Sequence, residues 1–157
     1  MRDALAPIIS THHASITDPE KVGELLLAID GYTGLTETRC ALKLAPLVML
    51  RPFELRFGEW SEVNFEKAEW RIPAERMKMD SPHIVPLSKQ AIAILYDLKR
   101  VAHEGERFLF PVLGSKEGVI SDSTINKALR TIGYSGDVMT GHGFRSMAST
   151  LLNEQQC

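Results

Sequence analysis

Between residues 60 and 86 the apolar residues stop recurring every three or four positions and begin to alternate, whereas the chain on either side keeps the helical period. Val63-Asn64-Phe65, Glu69-Trp70-Arg71-Ile72 and His83-Ile84-Val85-Pro86 read as three short strands, with Lys67-Ala68 and residues 79–82 as the turns between them. The first two strands form a hairpin and the third adds antiparallel. One short sheet inside a run of helices predicts an α+β fold, mostly helical, with a small three-stranded antiparallel sheet.

The helical segments carry their own start and stop signals. Asp18-Pro19-Glu20 supplies an N-cap acid, a proline at the first helical position and an acid in the first turn. Val22, Leu25, Leu26 and Ile29 then fall on one face, and Gly31 ends the segment. Thr36 caps a second helix through Ala41, Leu44, Leu47, Val48 and Leu50, which is apolar on most sides and therefore central, with Pro46 expected to kink or loosen it. Arg51-Pro52 interrupts, and residues 54–57 make a short helical turn. Ser88 caps a long amphipathic helix that buries Ile92, Leu95, Leu98 and Val101 and stops at Gly105. Residues 107–111 form a buried extended segment. Ser121 or Ser123 starts a helix containing Ile125, Ala128, Leu129 and Ile132, ended by Gly133, and a last helix opens at residues 140–145. Residues 1–16 lack a helical period and read as an interdomain linker, leaving residues 17–157 as one domain.

Composition excludes several classes. No apolar run approaches the ~20 residues of a membrane span, and the longest, residues 44–50, contains a proline. The start lacks a signal-peptide apolar core, and two cysteines, Cys40 and Cys157, fit a reducing compartment better than a disulfide framework. A cytoplasmic protein is expected. The net charge of −2 does not advertise nucleic-acid binding, but affinity for phosphates depends on how Lys and Arg cluster, not on their sum. The pair His12-His13 lies in a polar segment and reads as solvated.

The chemistry concentrates in four residues. His142 and Arg145, three positions apart, project from one face of a helix. An imidazole beside a permanently charged guanidinium makes a compact anion site suited to phosphate oxygens. Arg51 offers a second guanidinium, with Glu54 one helical turn away, and Lys78 follows Arg76-Met77 in the turn of the sheet. The set reads as phosphoryl-transfer machinery from which the attacking residue has been cut away. Taken singly, each cation reads as a solvated surface residue, His83 as structural, Ser146, Ser149 and Thr150 as packing or back-bonding residues, Met77 and Met79 as packing, Arg76 as a candidate phosphate contact, and Trp60 and Trp70 as core.

The order Arg, Lys in a sheet turn, then His-x-x-Arg resembles the tyrosine recombinases, and looks most like the phage and pathogenicity-island integrases of the satellite-phage type. Tyr32-Thr33-Gly34, Leu50-Arg51-Pro52-Phe53-Glu54-Leu55-Arg56, Glu59-Trp60, the run from Ile72 to Lys78, the run from His83 to Ser88, His142-Gly143-Phe144-Arg145, and Ser149-Thr150-Leu151-Leu152-Asn153-Glu154 carry the likeness over nearly the whole chain. The resemblance implies DNA strand exchange through a 3′-phosphotyrosyl intermediate, with no metal, nucleotide or other cofactor. It gives Arg51 and Arg145 the clamping of the scissile phosphate, Lys78 the protonation of the departing 5′-oxygen, His142 the role of general acid/base, and Glu54 the holding of Arg51. The implied partner is double-stranded DNA at an attachment site, bound by a tetramer. Off DNA a monomer is expected, because the family's docking segment lies beyond the residues matched here.

The family places a second histidine or tryptophan and then the tyrosine after this stretch, whereas Tyr32, Tyr96 and Tyr134 all precede His142. The sequence therefore reads as a catalytic domain truncated at its carboxy terminus and inactive alone. The alternatives are a non-catalytic DNA-binding or regulatory remnant, a folded remnant without activity, and a metal-dependent hydrolase using His83, His103 and His142. Against the hydrolase, no two histidines have i, i+4 spacing. Arg51, Lys78, His142 and Arg145 are expected to converge on one basic pocket, and Leu151 or Leu152 to lie open.

Overall fold

Asp18 opens α1 (Pro19–Asp30) as the N-cap, its Oδ1 accepting the backbone N–H of Glu20 at 3.2 Å, and Gly31 closes it. The computed structural model describes residues 14–77 and 80–155, and within them every expected helix is present. α2 (Thr36–Val48) is the hub: α1, α3 (Pro52–Arg56), α4 (Lys89–Val101), α5 (Thr124–Thr131) and α6 (Gly143–Gln155) all pack against it. Its side chains explain why. Cys40, Ala41, Leu42, Leu44, Ala45 and Val48 are all buried, so the helix has apolar atoms on most of its circumference and is stable only when surrounded.

α2 ends two residues earlier than its apolar pattern suggests. Pro46 leaves the last turn without one backbone donor, and Met49 then takes the left-handed conformation, φ 56° and ψ 26°, that closes the helix. Leu50 is still buried, but as part of the reversal that delivers Arg51 to the start of α3.

The sheet has the order β1 (Val63–Asn64), β2 (Glu69–Ile72), β3 (His83–Pro86), antiparallel throughout, with Trp70 opposite Val63 on one side and Val85 on the other. Trp70 and Ile72 are fully buried while Arg71 between them is exposed, the period-two signature read from the sequence. Gly58 is required where the chain passes under Trp70: a Cβ there would stand 2.5 Å from Cζ2 of the indole and 2.8 Å from Cδ1 of Leu109.

Ser88 caps α4, its Oγ accepting the Ala91 N–H at 3.1 Å. Two expectations for α4 need correction. The helix stops at Val101 and not at Gly105, which instead makes a left-handed turn at φ 80°. Val101 is 45% exposed, because it faces an open groove between α4 and residues 111–121 and not the core. The segment after it buries Leu109 and Phe110 by pairing with residues 58–60, through Trp60 N to Arg107 O at 3.1 Å and Leu109 N to Gly58 O at 2.8 Å; Arg107 itself is exposed. Ile16 is buried in the core, so the packed body already includes the end of the segment read as linker; residues 1–13, with His12 and His13, lie outside the described residues. No helix among the described residues is long and apolar enough to cross a membrane.

Candidate phosphate-binding site

Arg51 is the N-cap residue of α3, Pro52 fills the first helical position where no N–H is needed, and Glu54 sits at the third. The Glu54 Oε1 accepts both the backbone N–H and the Nη1–H of Arg51, each at 3.3 Å. The Glu54 side chain is buried and that of Arg51 is 42% exposed. The guanidinium is thus held from behind and open in front, the arrangement a phosphate clamp needs. Arg56, one turn further, faces the other way: buried, it donates through Nη1 to the Ile120 carbonyl at 3.0 Å and pairs with Glu117, so it fixes α3 to the loop before α5.

A cleft of about 540 Å³ opens beside Arg51, lined by Glu54, Phe53, Phe57 and Phe108 and by the sheet-turn residues Glu75, Arg76 and Met77. Lys78 lies outside the described residues, but the chain immediately before it forms this wall of the cleft. Arg76, the candidate phosphate contact, is engaged with an acid. Its Nε and Nη2 bind the Glu62 carboxylate at 2.7 and 2.6 Å, its Nη1 reaches the Glu54 carbonyl at 3.4 Å, and little of its side chain is exposed. Glu62 also accepts the Trp70 Nε1–H at 3.1 Å and the backbone N–H of Glu59. This network ties the sheet to α3. The only sequence signal for it was the spacing of Glu59 and Glu62, a capping pattern in which the second acid turned out to serve three donors.

His142 and Arg145 stand one turn apart at the start of α6, both exposed. Three contacts fix that start. The Gly141 N–H donates to Asn126 Oδ1 on α5 at 2.8 Å, the Gly143 N–H to Thr140 Oγ1 at 3.1 Å, and the Thr140 hydroxyl to the Ala14 carbonyl at 3.2 Å. Gly143 has no room for a side chain, since a Cβ would collide with the Ala14 carbonyl oxygen. Gly143→Ala is therefore expected to destabilise the chain by about 1–3 kcal/mol in urea unfolding, the cost of overpacking, where an alanine in an open helical position would add stability. A neutral or stabilising result would show that Ala14 moves aside freely.

The structure joins Arg51 to Glu54 and sets His142 beside Arg145, and it carries both turns on α2. His142 and Arg145 do not line the Arg51 cleft. Among the described residues no group of three His, Cys, Asp or Glu side chains is placed to hold a metal ion, so His83, His103 and His142 do not form the triad a metal hydrolase requires. None of the three tyrosines lies on α3 or α6. Tyr32 follows α1, Tyr96 lies within α4 with its ring stacked 4.6 Å from Phe65, and Tyr134 follows α5. Burial pushes the Cys40 thiol up to about 11, which leaves it protonated. Leu152 is half exposed, as anticipated for the last helix.

Residues 16–157 match the phage integrase family. The integrase of Enterobacteria phage P4 is 39% identical over 167 aligned positions, covering 98% of this chain and 38% of that protein. The putative protein IntB of Escherichia coli K12 is 40% identical, covering 90% of this chain and 39% of its own length. The chain thus spans under two fifths of these relatives. Among solved structures, an integrase from mycobacterium phage Brujita superposes with a TM-score of 0.68 at 17% identity, over 97% of this chain and 47% of that one. A lambda integrase dimer bound to a COC′ core site gives 0.62 at 19% identity, over 93% of this chain and 43% of that one. The helix order, the three-stranded sheet and these matches lead to one conclusion: the chain belongs to the phage integrase family of tyrosine recombinases and has the fold of their catalytic domains.

Proposed function

We propose that residues 17–157 are the DNA-binding catalytic domain of a prophage site-specific recombinase, acting in the cytoplasm on a duplex attachment site. The observation that carries this reading is the Arg51–Glu54 pair, a guanidinium anchored by a buried carboxylate yet open to a ligand, at the position where the family resemblance puts the first phosphate-clamping arginine. Arg145 supplies the second clamp and His142 the general acid/base beside it. In the reaction a tyrosine oxygen attacks the scissile phosphorus and the bond to the 5′-oxygen breaks. Arg51 and Arg145 take up charge on the non-bridging oxygens, and Lys78 gives the departing oxygen its proton. No metal or nucleotide is consumed, because the covalent intermediate keeps the bond energy until a 5′-hydroxyl reverses the attack.

Tyr32 and Tyr134 pack against the core from the segments after α1 and α5, and Tyr96 stacks on Phe65, so these 157 residues by themselves bind DNA without cleaving it. The domain is a monomer off DNA and joins a tetramer on it. A non-catalytic regulatory remnant would bind identically but would gain no activity from an added tyrosine-bearing segment.

Duplex binding measured against salt tests the reading. Log affinity should fall linearly with log salt, with a slope of ~0.9 per phosphate neutralised. Arg51→Ala and Arg145→Ala should each reduce that slope by about 1 while weakening binding uniformly across sequences. Affinity that ignores salt, or a slope unchanged in both variants, would overturn the phosphate-clamp assignment.

A further inference from the structure

The cleft beside Arg51 is not simply a phosphate channel. Its three arginines are each matched by an acid: Arg51 by Glu54, Arg107 by Glu59 at 2.7 Å, and Arg76 by Glu62. With Glu75 also on its wall, the cleft carries no surplus of positive charge among the described residues. What it does carry is an aromatic surface. Phe53 is 56% exposed, its ring centroid 4.8 Å from that of Phe57, which in turn meets Phe108 edge-on at 6.4 Å. The Arg107 guanidinium lies over the Phe108 ring, 4.9 Å from its centroid, and the Arg56 guanidinium over Phe57 at 5.1 Å, so two of the three rings are braced.

Phe53 is the most open of the three rings, more than half exposed on a five-residue helix while Phe57 and Phe108 are partly buried. Phe53 lines the same cleft as Arg51, so a ligand held there by that guanidinium has the ring within the same space. A neutral flat wall next to an anion clamp fits a ligand with a charged part and a neutral planar part. A nucleotide within a DNA strand has that division, and the cleft volume lies within the ~300–1,000 Å³ of small-ligand sites.

We propose that this cleft receives an unpaired nucleobase flanking the phosphate bound at Arg51, stacked on Phe53. The proposal rests on the recombinase reading and deepens it. Strand exchange requires bases next to the broken bond to leave one partner and pair with another, and an aromatic shelf beside the phosphate holds a base between those states. Stacking is tolerant of base identity because every base has a π-face, so the site adds affinity for the opened strand without fixing a sequence.

The test uses the 157-residue chain and two nicked duplexes of identical sequence, one with an unpaired adenine at the nick and one with an abasic residue in its place. The readout is the ratio of the two affinities within each protein, by fluorescence anisotropy at fixed salt, so general losses cancel. The native chain should prefer the unpaired base by roughly tenfold. Phe53→Ala and Phe53→Leu should bring the ratio to one, the leucine because it keeps apolar area but offers no ring face, while Phe53→Trp should retain the preference. A ratio of one in the native chain with the salt slope intact would overturn the stacking site alone. A leucine variant that keeps the preference would do the same. Absence of salt-dependent binding to either duplex would remove the recombinase reading and this site together.

Discussion

Arg145→Ala is expected to lower DNA cleavage by ~10²–10³-fold or more once the domain is joined to the tyrosine-bearing segment that the family places after the His-x-x-Arg turn. The magnitude follows from where the charge develops. In the transition state the phosphorus carries additional negative charge on its non-bridging oxygens, and a guanidinium fixed in advance stabilises it without reorganising solvent. Lysine at this position should recover little, since a point charge cannot bridge two oxygens in the planar fork geometry. The 157 residues alone, incubated with a nicked duplex and run on a denaturing gel, should give no covalent band. A shifted band from them would falsify the claim that none of Tyr32, Tyr96 and Tyr134 can attack, and would identify a nucleophile that the fold does not advertise.

Much of the architecture was legible because local signals agreed with one another. Asp18-Pro19-Glu20, Ser88 and the alternation of Trp70, Arg71 and Ile72 each specify an element without tertiary help, and each is found where the signals put it. The errors lie where tertiary context decides. Leu50 continued the apolar pattern of α2, yet the backbone had already turned at Met49, because a buried leucine is equally satisfied in a reversal packed on the core. Val101 continued the stripe of α4 but met a groove and not a partner. The pairings of Arg51 with Glu54 and of His142 with Arg145 were legible, since residues three apart in sequence at a helix start must be close in space. The Arg76–Glu62 pair was not, because its partners are fourteen residues apart on different elements and any of several nearby acids satisfies a pattern argument.

Glu62→Ala is expected to be among the most damaging substitutions in the chain for stability, at about 3–5 kcal/mol. The Glu62 side chain is 5% exposed and accepts from Arg76, from the Trp70 indole and from the Glu59 backbone. Removing it leaves a guanidinium that is largely buried without its counter-charge and an indole donor with no acceptor in a site that excludes water. For a domain of this size the thermal midpoint should drop by roughly 6–20 °C. Arg76→Ala should cost less, because the carboxylate it leaves keeps two of its donors. The double variant should then be less damaged than the sum of the two, with a coupling of ~0.5–3 kcal/mol in urea unfolding. Additive losses would mean that Glu62 acts mainly through Trp70. The same change should also be felt at the phosphate site, since Arg76 carries the sheet turn against the Glu54 carbonyl and Glu54 holds Arg51. At a temperature where Glu62→Ala is still folded, its DNA affinity should fall while its salt slope persists, because the clamp is misplaced but its charges remain.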